Sequence, residues 1–354
     1  MGFVAPRAFD GKICVQGTAE DIMKMNMFLH TAERVYIKLT SFHAETFDQL
    51  YDNTFSFNWA DFIPFNAKII VNGKSKKSKL FSLRDCQSII KKSILNKLAE
   101  HYHRHLFPEN GVAYGIEFSI TDDEVMLLLD CSGMGLHKRG YRDLVGGAPI
   151  KETLACAMLY MSDFSADKPF ADPFCGSGTI VIEAALMALN IAPCKNRKFA
   201  CEYYDFLPYN IKNLMLERAN DLEIRNKELF FIASDIDSNA ISLCVRHAYR
   251  AGVKEKLKIV KEDVKDFYCK NSDGCIVTNP PYGERMMTPK EVEALYGTLG
   301  KVWKNLDNWS LNVITSAPNF EKALGTRCDS QRKFFHADKE CRYYQYKKQQ
   351  PLDK

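Results

Sequence analysis

The stretch Asp172-Pro173-Phe174-Cys175-Gly176-Ser177-Gly178-Thr179 decides the fold of this 354-residue chain. It follows the short apolar run Phe170-Ala171 and precedes a helical pattern that extends to Leu189. A strand that turns through two glycines into a helix is typical of the first unit of a doubly wound sheet. We therefore predict an α/β domain with a ligand site at this turn.

The pattern around this stretch repeats through the C-terminal part of the chain. From Ile150 onward, helical patterns alternate with short apolar runs, which favours a Rossmann-like parallel sheet with helices on both faces. Strands are predicted at 170–172, 229–234, 257–260, 275–278, 311–315 and 342–346. Helices are predicted at 150–160, 179–189, 239–251 and 291–306.

The N-terminal part has a different organisation. Short strand-like runs and helical stretches follow one another, and one predicted helix, over 82–103, carries apolar residues every fourth position. Strands are predicted at 68–71, 114–120 and 124–129, with a basic turn after the first. We divide the chain into a small α+β unit over 1–52, a second α+β module over 53–131, a linker over 132–149 and the α/β domain over 150–350.

The charge of the chain is concentrated in one window. The net charge is only +4, yet ten lysines and arginines lie between Lys68 and Arg104 against Asp85 and Glu100. Such a window is typical of a surface that meets phosphates, although charge runs also form solvated faces. The predicted nucleic-acid contacts are Lys74, Lys76, Lys77, Lys79, Arg84, Lys91 and Lys92. Three residues nearer the linker, Lys138, Arg139 and Arg142, either grip phosphates or pair with local acids.

Other classes of protein are disfavoured by the composition. The sequence contains no run of about 18 apolar residues that would cross a bilayer, and Met1 to Arg7 lacks the apolar stretch of a signal peptide, so we predict a cytoplasmic protein without a membrane partner. The twelve cysteines show no Cys-x-x-Cys spacing. His101 and His105 have the spacing of a metal pair but no accompanying ligands, so no metal is predicted. The sequence does not indicate an oligomeric state.

The glycine turn predicts a nucleoside cofactor of a particular charge. Asp172 suits a ligand with an amine and a sulfonium better than one with phosphates, and the dinucleotide pattern G-x-G-x-x-G is absent. Asp235 follows the next strand, where a carboxylate can bind ribose hydroxyls. Asp237 and Asp263 are further candidates, with helix or loop capping as the alternative for each. The predicted S-adenosylmethionine-binding residues are Asp172, Phe174, Gly176, Gly178, Thr179, Asp235, Asp237, Asp263 and Asn279.

The segment Asn279-Pro280-Pro281-Tyr282 directly follows the apolar run Cys275 to Thr278. Two prolines fix the turn, so that the Asn279 amide oxygen and the Pro280 carbonyl can both accept hydrogen bonds from one amino group. Two acceptors placed off the ring plane favour a more nucleophilic exocyclic nitrogen, and Tyr282 can stack on the base. These four residues are the predicted catalytic residues, and with the glycine turn they predict methylation of a base amine.

These motifs resemble those of class I methyltransferases, and almost the whole chain is similar to bacterial THUMP-domain RNA methyltransferases that act on guanine N2 of ribosomal RNA. The further matching segments are Thr31-Ala32-Glu33-Arg34-Val35, Ser78-Lys79-Leu80, Cys86-Gln87-Ser88-Ile89, His137-Lys138-Arg139-Gly140-Tyr141-Arg142, Glu183-Ala184-Ala185 and Tyr343-Tyr344-Gln345-Tyr346. The resemblance implies that 53–131 is a THUMP RNA-binding domain and that 1–52 is a partial ferredoxin-like unit, because the family's opening strand and helix would precede Met1. It also implies S-adenosylmethionine as cofactor and RNA as partner, with ribosomal RNA favoured over transfer RNA.

Two departures from the family bear on base specificity. Cys194 stands where relatives usually have glycine, and Phe334-Phe335-His336 differs from the usual closing strand and turn. The alternatives are an adenine-N6 methyltransferase of RNA or DNA, a transfer-RNA guanine-N2 methyltransferase, and a non-catalytic RNA-binding assembly factor. The intact motifs at Asp172 and Asn279 argue against the last.

Overall fold

A computed structural model describes residues 7–9, 11–143, 149–283, 287–336 and 339–347 of the chain. The chain forms two compact units. The first comprises Met1–Leu136 with Asn196–Arg218, and the second comprises His137–Lys195 with Ala219–Lys354. The segment 196–218, which the sequence pattern left within the α/β domain, thus belongs to the first compact unit. Positions 144–148 of the predicted linker lie outside the described residues.

The first unit is an α+β structure with a hairpin and a four-stranded sheet. Its elements in chain order are β1 (Arg7–Phe9), β2 (Lys12–Cys14), α1 (Ala19–Phe28), β3 (Tyr36–His43), α2 (Phe47–Phe55), β4 (Lys68–Lys76), α3 (Leu83–Tyr102), β5 (Ala113–Thr121) and β6 (Glu124–Asp130). β1 and β2 form the hairpin, and the sheet has the order β3-β6-β5-β4 with β4 parallel to β5.

The predicted long helix and its apolar stripe are confirmed in α3. Cys86, Ile90, Ile94 and Leu98 are all buried, as their four-residue spacing indicated. The predicted end of this strand at Val71 is wrong, because β4 continues to Lys76 through regular parallel pairing with β5. The basic turn follows β4, at Lys77 to Lys79. Lys74 and Lys76 therefore lie on an edge strand.

The second unit contains a seven-stranded sheet with helices. Its elements are α4 (Glu152–Met161), β7 (Phe170–Asp172), α5 (Thr179–Ala188), β8 (Phe231–Asp235), α7 (Ser238–Arg250), β9 (Leu257–Lys261), β10 (Cys275–Thr278), α8 (Pro289–Lys304), β11 (Ser310–Thr315), α9 (Phe320–Leu324), β12 (Ser330–His336) and β13 (Lys339–Tyr346). Helix α6 (Ile211–Asp221) lies at the boundary in sequence between the two units. Two apolar clusters, which include Phe170 and Trp309 respectively, form the core of the second unit.

The order of the strands shows where a ligand site is expected in this sheet. The sheet runs β12-β13-β11-β10-β7-β8-β9, with β7 to β11 parallel and β13 antiparallel to β11. The chain progresses outward from β7 in one direction and returns to β10 on its other side. The crevice between β7 and β10 is therefore the topological switch point, where ligands bind in doubly wound sheets.

One strand of this sheet was not predicted. Among the described residues β12 pairs only with β13. Its sequence Ser-Gln-Arg-Lys-Phe-Phe-His has no clear apolar alternation, because an edge strand buries little. Over the described parts of the chain, no helix combines the length and apolarity that a bilayer crossing requires.

Candidate active site

The two motifs found in the sequence follow neighbouring strands. β7 and β10 pair in parallel, with Phe170 opposite Cys275 and Ala171 opposite Ile276. The carboxyl ends of the two strands consequently meet at one edge of the sheet, and the turns that begin at Asp172 and Asn279 leave from that edge.

Asp172 is a buried carboxylate with two hydrogen-bond donors. It is 1% exposed, and it accepts hydrogen bonds from the Thr278 hydroxyl at 2.6 Å and from the Phe174 amide at 3.3 Å. Burial raises the pKa of Asp172 to about 7, although both hydrogen bonds act to lower it. Among the described residues, no basic side chain pairs with Asp172. The site thus holds an acid that a cationic ligand would favour in its ionised form.

The glycine turn has the backbone geometry that only glycine adopts readily. Gly176 has a φ of +52°, and a Cβ placed there would meet nothing within 4 Å. Gly178 has a φ of +86°, and a Cβ there would lie 2.5 Å from the Cys244 sulfur. Gly176 is thus open to a ligand, whereas Gly178 packs closely on α7.

Asp235 supports this turn from the neighbouring strand. Its carboxylate accepts hydrogen bonds from the Gly176 amide and from the Asp237 amide, each at 2.9 Å. Asp237 caps α7 by accepting from the Asn239 amide. Asp263 accepts from the Lys265 amide at 3.1 Å, and this bond lowers the pKa of the carboxyl. Asp237 and Asp263 therefore show the capping roles that the sequence offered as alternatives, and their cofactor contacts stay predictions.

The segment at Asn279 is held by side chains from within the segment and from α8. The Tyr282 hydroxyl donates a hydrogen bond to the Asn279 amide oxygen, and the Tyr296 hydroxyl donates to the Pro281 carbonyl at 2.8 Å. Pro280 is buried, whereas Asn279 and Tyr282 are half-buried. The Tyr282 hydroxyl thus orients the Asn279 amide oxygen, and the role of Asn279 toward an amine stays a prediction.

Two of the predicted RNA-binding residues of the first unit form ion pairs. Lys79 pairs with Glu45 at 2.5 Å and Lys91 with Glu109 at 2.7 Å. Lys79 is exposed and Lys91 is half-buried. The other predicted residues of the first unit are exposed as well, as is Lys138 of the second unit: Lys74, Lys76, Lys77, Arg84 and Lys92.

Two of the predicted phosphate contacts, Arg139 and Arg142, instead pair with local acids, which was the alternative role given for them. Arg139 is 3% exposed and pairs with Glu183 at 3.6 Å, while its guanidinium also donates to the Cys194 sulfur. Arg142 pairs with Glu152 at 3.2 Å. Both arginines therefore bind acids inside the second unit rather than facing solvent phosphates.

Sequence reasoning missed several residues that support the site. Thr278 directly precedes the Asn279 segment, yet no motif marks its hydroxyl. His247 of α7 is buried and its Nδ1 lies 3.0 Å from the Ser177 carbonyl. Glu183 is buried and accepts a hydrogen bond from the Tyr141 hydroxyl. In the sequence, Glu183 was noted only as part of a segment that matches the family. None of these contacts follows from local sequence pattern.

Three family models match the chain. An RMKL-like methyltransferase domain matches residues 139–345, a THUMP domain matches residues 44–130, and the RlmL ferredoxin-like domain matches residues 1–36. The first of these covers more than half of the chain.

Curated relatives carry names of the same kind. The chain is 42% identical over 339 residues to "Putative RNA methyltransferase YpsC" of Bacillus subtilis, covering 95% of this chain and 88% of that protein. It is 31% identical over 310 residues to "Ribosomal RNA large subunit methyltransferase K/L" of Buchnera aphidicola, covering 84% of this chain but 44% of the relative. The chain thus spans less than half of the K/L protein.

Solved structures share the whole fold. A structure described as a predicted N6-adenine-specific DNA methylase from Listeria monocytogenes is 40% identical, with a TM-score of 0.91 over 96% of this chain and 89% of that chain. The protein SMU.472, solved in complex with SAH, is 33% identical, with a TM-score of 0.91 over 98% of this chain and 92% of that chain.

Proposed function

This chain belongs to the RMKL-like RNA methyltransferases with a THUMP domain, and on that premise we propose that it methylates the exocyclic N2 amine of a guanine in ribosomal RNA. The enzyme is an RNA methyltransferase, and its methyl donor is S-adenosylmethionine. The choice of guanine N2, the catalytic residues and the donor-binding residues are parts of the proposal.

The observation that carries the proposal is the hydrogen bond between Thr278 and Asp172. It joins the end of β10 to the beginning of the glycine turn at the switch point of the sheet. A donor held at Gly176 and an amine held at Asn279 would therefore occupy one crevice, as methyl transfer requires.

The residues of this crevice fit the donor. Asp172 offers a buried carboxylate that has no cationic partner among the described residues, and Gly176 leaves open space beside the backbone. Asp235 has both carboxylate oxygens on backbone amides, and each oxygen retains a lone pair for a ribose hydroxyl. When bound, S-adenosylmethionine supplies an electrophilic methyl group.

The chain's own part in the reaction is to bind and orient the amine. The Asn279 amide oxygen and the Pro280 carbonyl accept hydrogen bonds from the two N–H groups of the amine, and the Tyr282 ring stacks on the base. Because the amine lone pair is delocalised into the ring, two acceptors off the ring plane make the nitrogen a better nucleophile. The Tyr282 hydroxyl keeps Asn279 oriented before the base enters.

RNA binding is proposed for the exposed cations of the first unit. Lys74, Lys77 and Lys92 are exposed, and they lie within the matched THUMP domain. The names of the K/L relatives refer to large-subunit ribosomal RNA, which supports ribosomal over transfer RNA. We place this activity in the cytoplasm, where ribosomal RNA is available.

The second candidate is adenine-N6 methylation. The description of the Listeria structure as an N6-adenine-specific methylase favours it, and the four residues from Asn279 to Tyr282 would grip any flat exocyclic amine. The two candidates share the donor and the fold, so the product nucleoside separates them.

The experiment is nucleoside mass spectrometry on ribosomal RNA incubated with the protein and isotopically labelled S-adenosylmethionine. Labelled N2-methylguanosine is the expected product, and labelled N6-methyladenosine would instead select the second candidate. The variant Asn279→Ala serves as the matched control, because it should bind the donor but give no labelled nucleoside. Absence of any labelled nucleoside from unmodified ribosomal and transfer RNA would contradict the proposed function.

A further inference from the structure

Arg142 connects the beginning of α4 to the beginning of α5. Its guanidinium donates to the Ile150 carbonyl at 3.1 Å and to the Thr179 hydroxyl at 2.8 Å, and it pairs with Glu152 at 3.2 Å. Thr179 is the first residue of α5 and directly follows Gly178, its N-cap. The guanidinium therefore contacts the residue at which the glycine turn becomes a helix.

The ion pair of Arg142 with Glu152 is better suited to fixing the local backbone geometry than to stabilising the fold. Its side chain is 13% exposed and that of Glu152 is 3% exposed, so both charges are largely removed from water. Within the described part of the chain, Arg142 Nε and Glu152 Oε2 are buried without hydrogen-bond partners. A buried ion pair with unsatisfied atoms offsets its desolvation cost poorly, and fixing a local geometry is a role such pairs can serve.

The turn that Arg142 reaches is supported on both sides of Gly178. On one side, Arg142 holds the Thr179 hydroxyl; on the other, the His247 ring lies 3.0 Å from the Ser177 carbonyl. Two glycines at positive φ make this turn intrinsically mobile in the absence of such supports. A turn that is already ordered binds its ligand more tightly, because the cost of ordering is not incurred on binding.

We propose that Arg142 is a positioning residue for methyl-donor binding, which acts through the Thr179 hydroxyl to hold the Gly176–Gly178 turn in its binding conformation. The inference rests on the proposed function in one respect, namely that this turn holds the donor. It assigns to Arg142 a role on the donor side of the reaction in place of a phosphate contact. Arg142 acts through Thr179 and is not itself a catalytic residue.

The test measures S-adenosylhomocysteine affinity by isothermal titration calorimetry on the full chain, in Arg142→Met, Thr179→Val and the double variant. Loss of a charge-assisted hydrogen bond in a buried site is expected to weaken binding about tenfold or more. The double variant should be no weaker than Arg142→Met, because both changes remove the same contact. Thr179→Ser keeps the hydroxyl and should restore most of the affinity.

Two further readouts separate positioning from general destabilisation and from RNA binding. In Arg142→Met the KM for the donor should rise more than kcat falls, and the salt dependence of RNA binding should match the wild type. Arg142→Lys should recover part of the affinity, since one ammonium cannot reach all three partners. Lys227→Met, which removes a surface pair with Asp167, is the matched control and should change neither quantity.

Three results would overturn the inference: wild-type affinity in Arg142→Met, additive effects of the Arg142 and Thr179 changes, or a reduced salt dependence of RNA binding. The proposed donor site itself is tested separately by Asp172→Asn. If Asp172→Asn abolishes binding while Arg142→Met does not, only the role of Arg142 is refuted. If neither variant alters binding, the donor site lies elsewhere.

Discussion

The Thr278 hydroxyl donates a hydrogen bond of 2.6 Å to the Asp172 carboxylate, and both residues are buried at adjoining strand ends. This bond links the last residue of β10 with the last residue of β7. Because Asn279 and the glycine turn continue directly from these two residues, the bond fixes the spacing between the two halves of the proposed active site.

Thr278→Val tests this connection. The variant keeps the shape of the side chain but leaves the buried carboxylate with one donor fewer, so we expect a loss of about 1–3 kcal/mol in the free energy of unfolding. The donor affinity should fall as well, because the pKa of Asp172 rises further without the hydroxyl. Thr278→Ser is the control and should remain close to wild type in urea unfolding and in calorimetry. Equal stability of all three proteins would show that the bond is unimportant.

Asp172 should make donor binding depend on pH. Burial raises its pKa to about 7, so the free protein holds this carboxyl proton below that pH, whereas the unfolded carboxyl ionises at about 4. The contribution of Asp172 to folding stability is therefore present at low pH and lost as pH rises through about 7. A cationic ligand favours the ionised form, so donor affinity should rise with pH up to about 7 and level off above it.

The measurement is calorimetric titration with S-adenosylmethionine from about pH 5.5 to about pH 8.5 in buffers of different ionisation enthalpy, which reports proton release. Glu152 is the residue to control for, because burial also raises its pKa to about 7. Glu152→Gln should keep the pH dependence if Asp172 causes it. A flat profile in the wild type would refute the link to Asp172.

Asn279→Ala should abolish turnover and leave donor affinity nearly unchanged. In the proposed site the amide oxygen binds the amine, and its partner in the free protein is the Tyr282 hydroxyl. A contact of Asn279 with the donor through its backbone would survive this substitution, so donor affinity should change little. Asn279→Asp keeps an acceptor and should retain part of the activity, while Tyr282→Phe keeps the stacking ring and should lose less than Tyr282→Ala. Single-turnover methylation assays and donor titration measure the two properties separately. Normal methylation by Asn279→Ala would exclude the assigned role.

The two glycines of the turn should respond differently to alanine. Gly178→Ala combines a positive φ with a contact of 2.5 Å to the Cys244 sulfur, so it should destabilise more than the roughly 1–2 kcal/mol expected for left-handed backbone alone. Gly176→Ala meets no neighbour, so its larger effect should be on donor binding. Adding Cys244→Ala should relieve only the steric part of the Gly178→Ala cost. Identical stability losses at both positions would contradict this account.

The exposed lysines should set the salt dependence of RNA binding. Replacing Lys74, Lys77 and Lys92 with alanine should reduce the log-log slope of affinity against salt by about 0.7–0.9 for each phosphate interaction that the substitutions remove. Lys79→Ala should have a smaller effect, because Lys79 already pairs with Glu45. Lys256→Ala, in the second unit, removes one charge from a pair with Glu228 and should leave the slope unchanged. An unchanged slope in the triple variant would move the RNA surface elsewhere.

Much of the fold could be predicted from local pattern. The apolar spacing along α3, the alternation of strands and helices after Ile150, and the turn at Gly176 all depend on residues close together in sequence. β12 could not be predicted in this way, since an edge strand is defined by its one partner and not by its own apolar pattern. The extension of β4 to Lys76 was missed for the same reason: pairing with β5 outweighs local turn preference.

The sequence by itself determined which chemical groups stand at the ends of β7 and β10, because turn residues and strand ends are encoded by neighbouring positions. Only the tertiary structure decided what those groups touch. It paired Asp172 with Thr278, and it turned Arg142 inward to Glu152 and Thr179. Burial and charge pairing depend on residues distant in sequence that packing brings together. Burial raises the pKa of Asp172, and the pairing with Glu152 and Thr179 sets the direction of the Arg142 side chain.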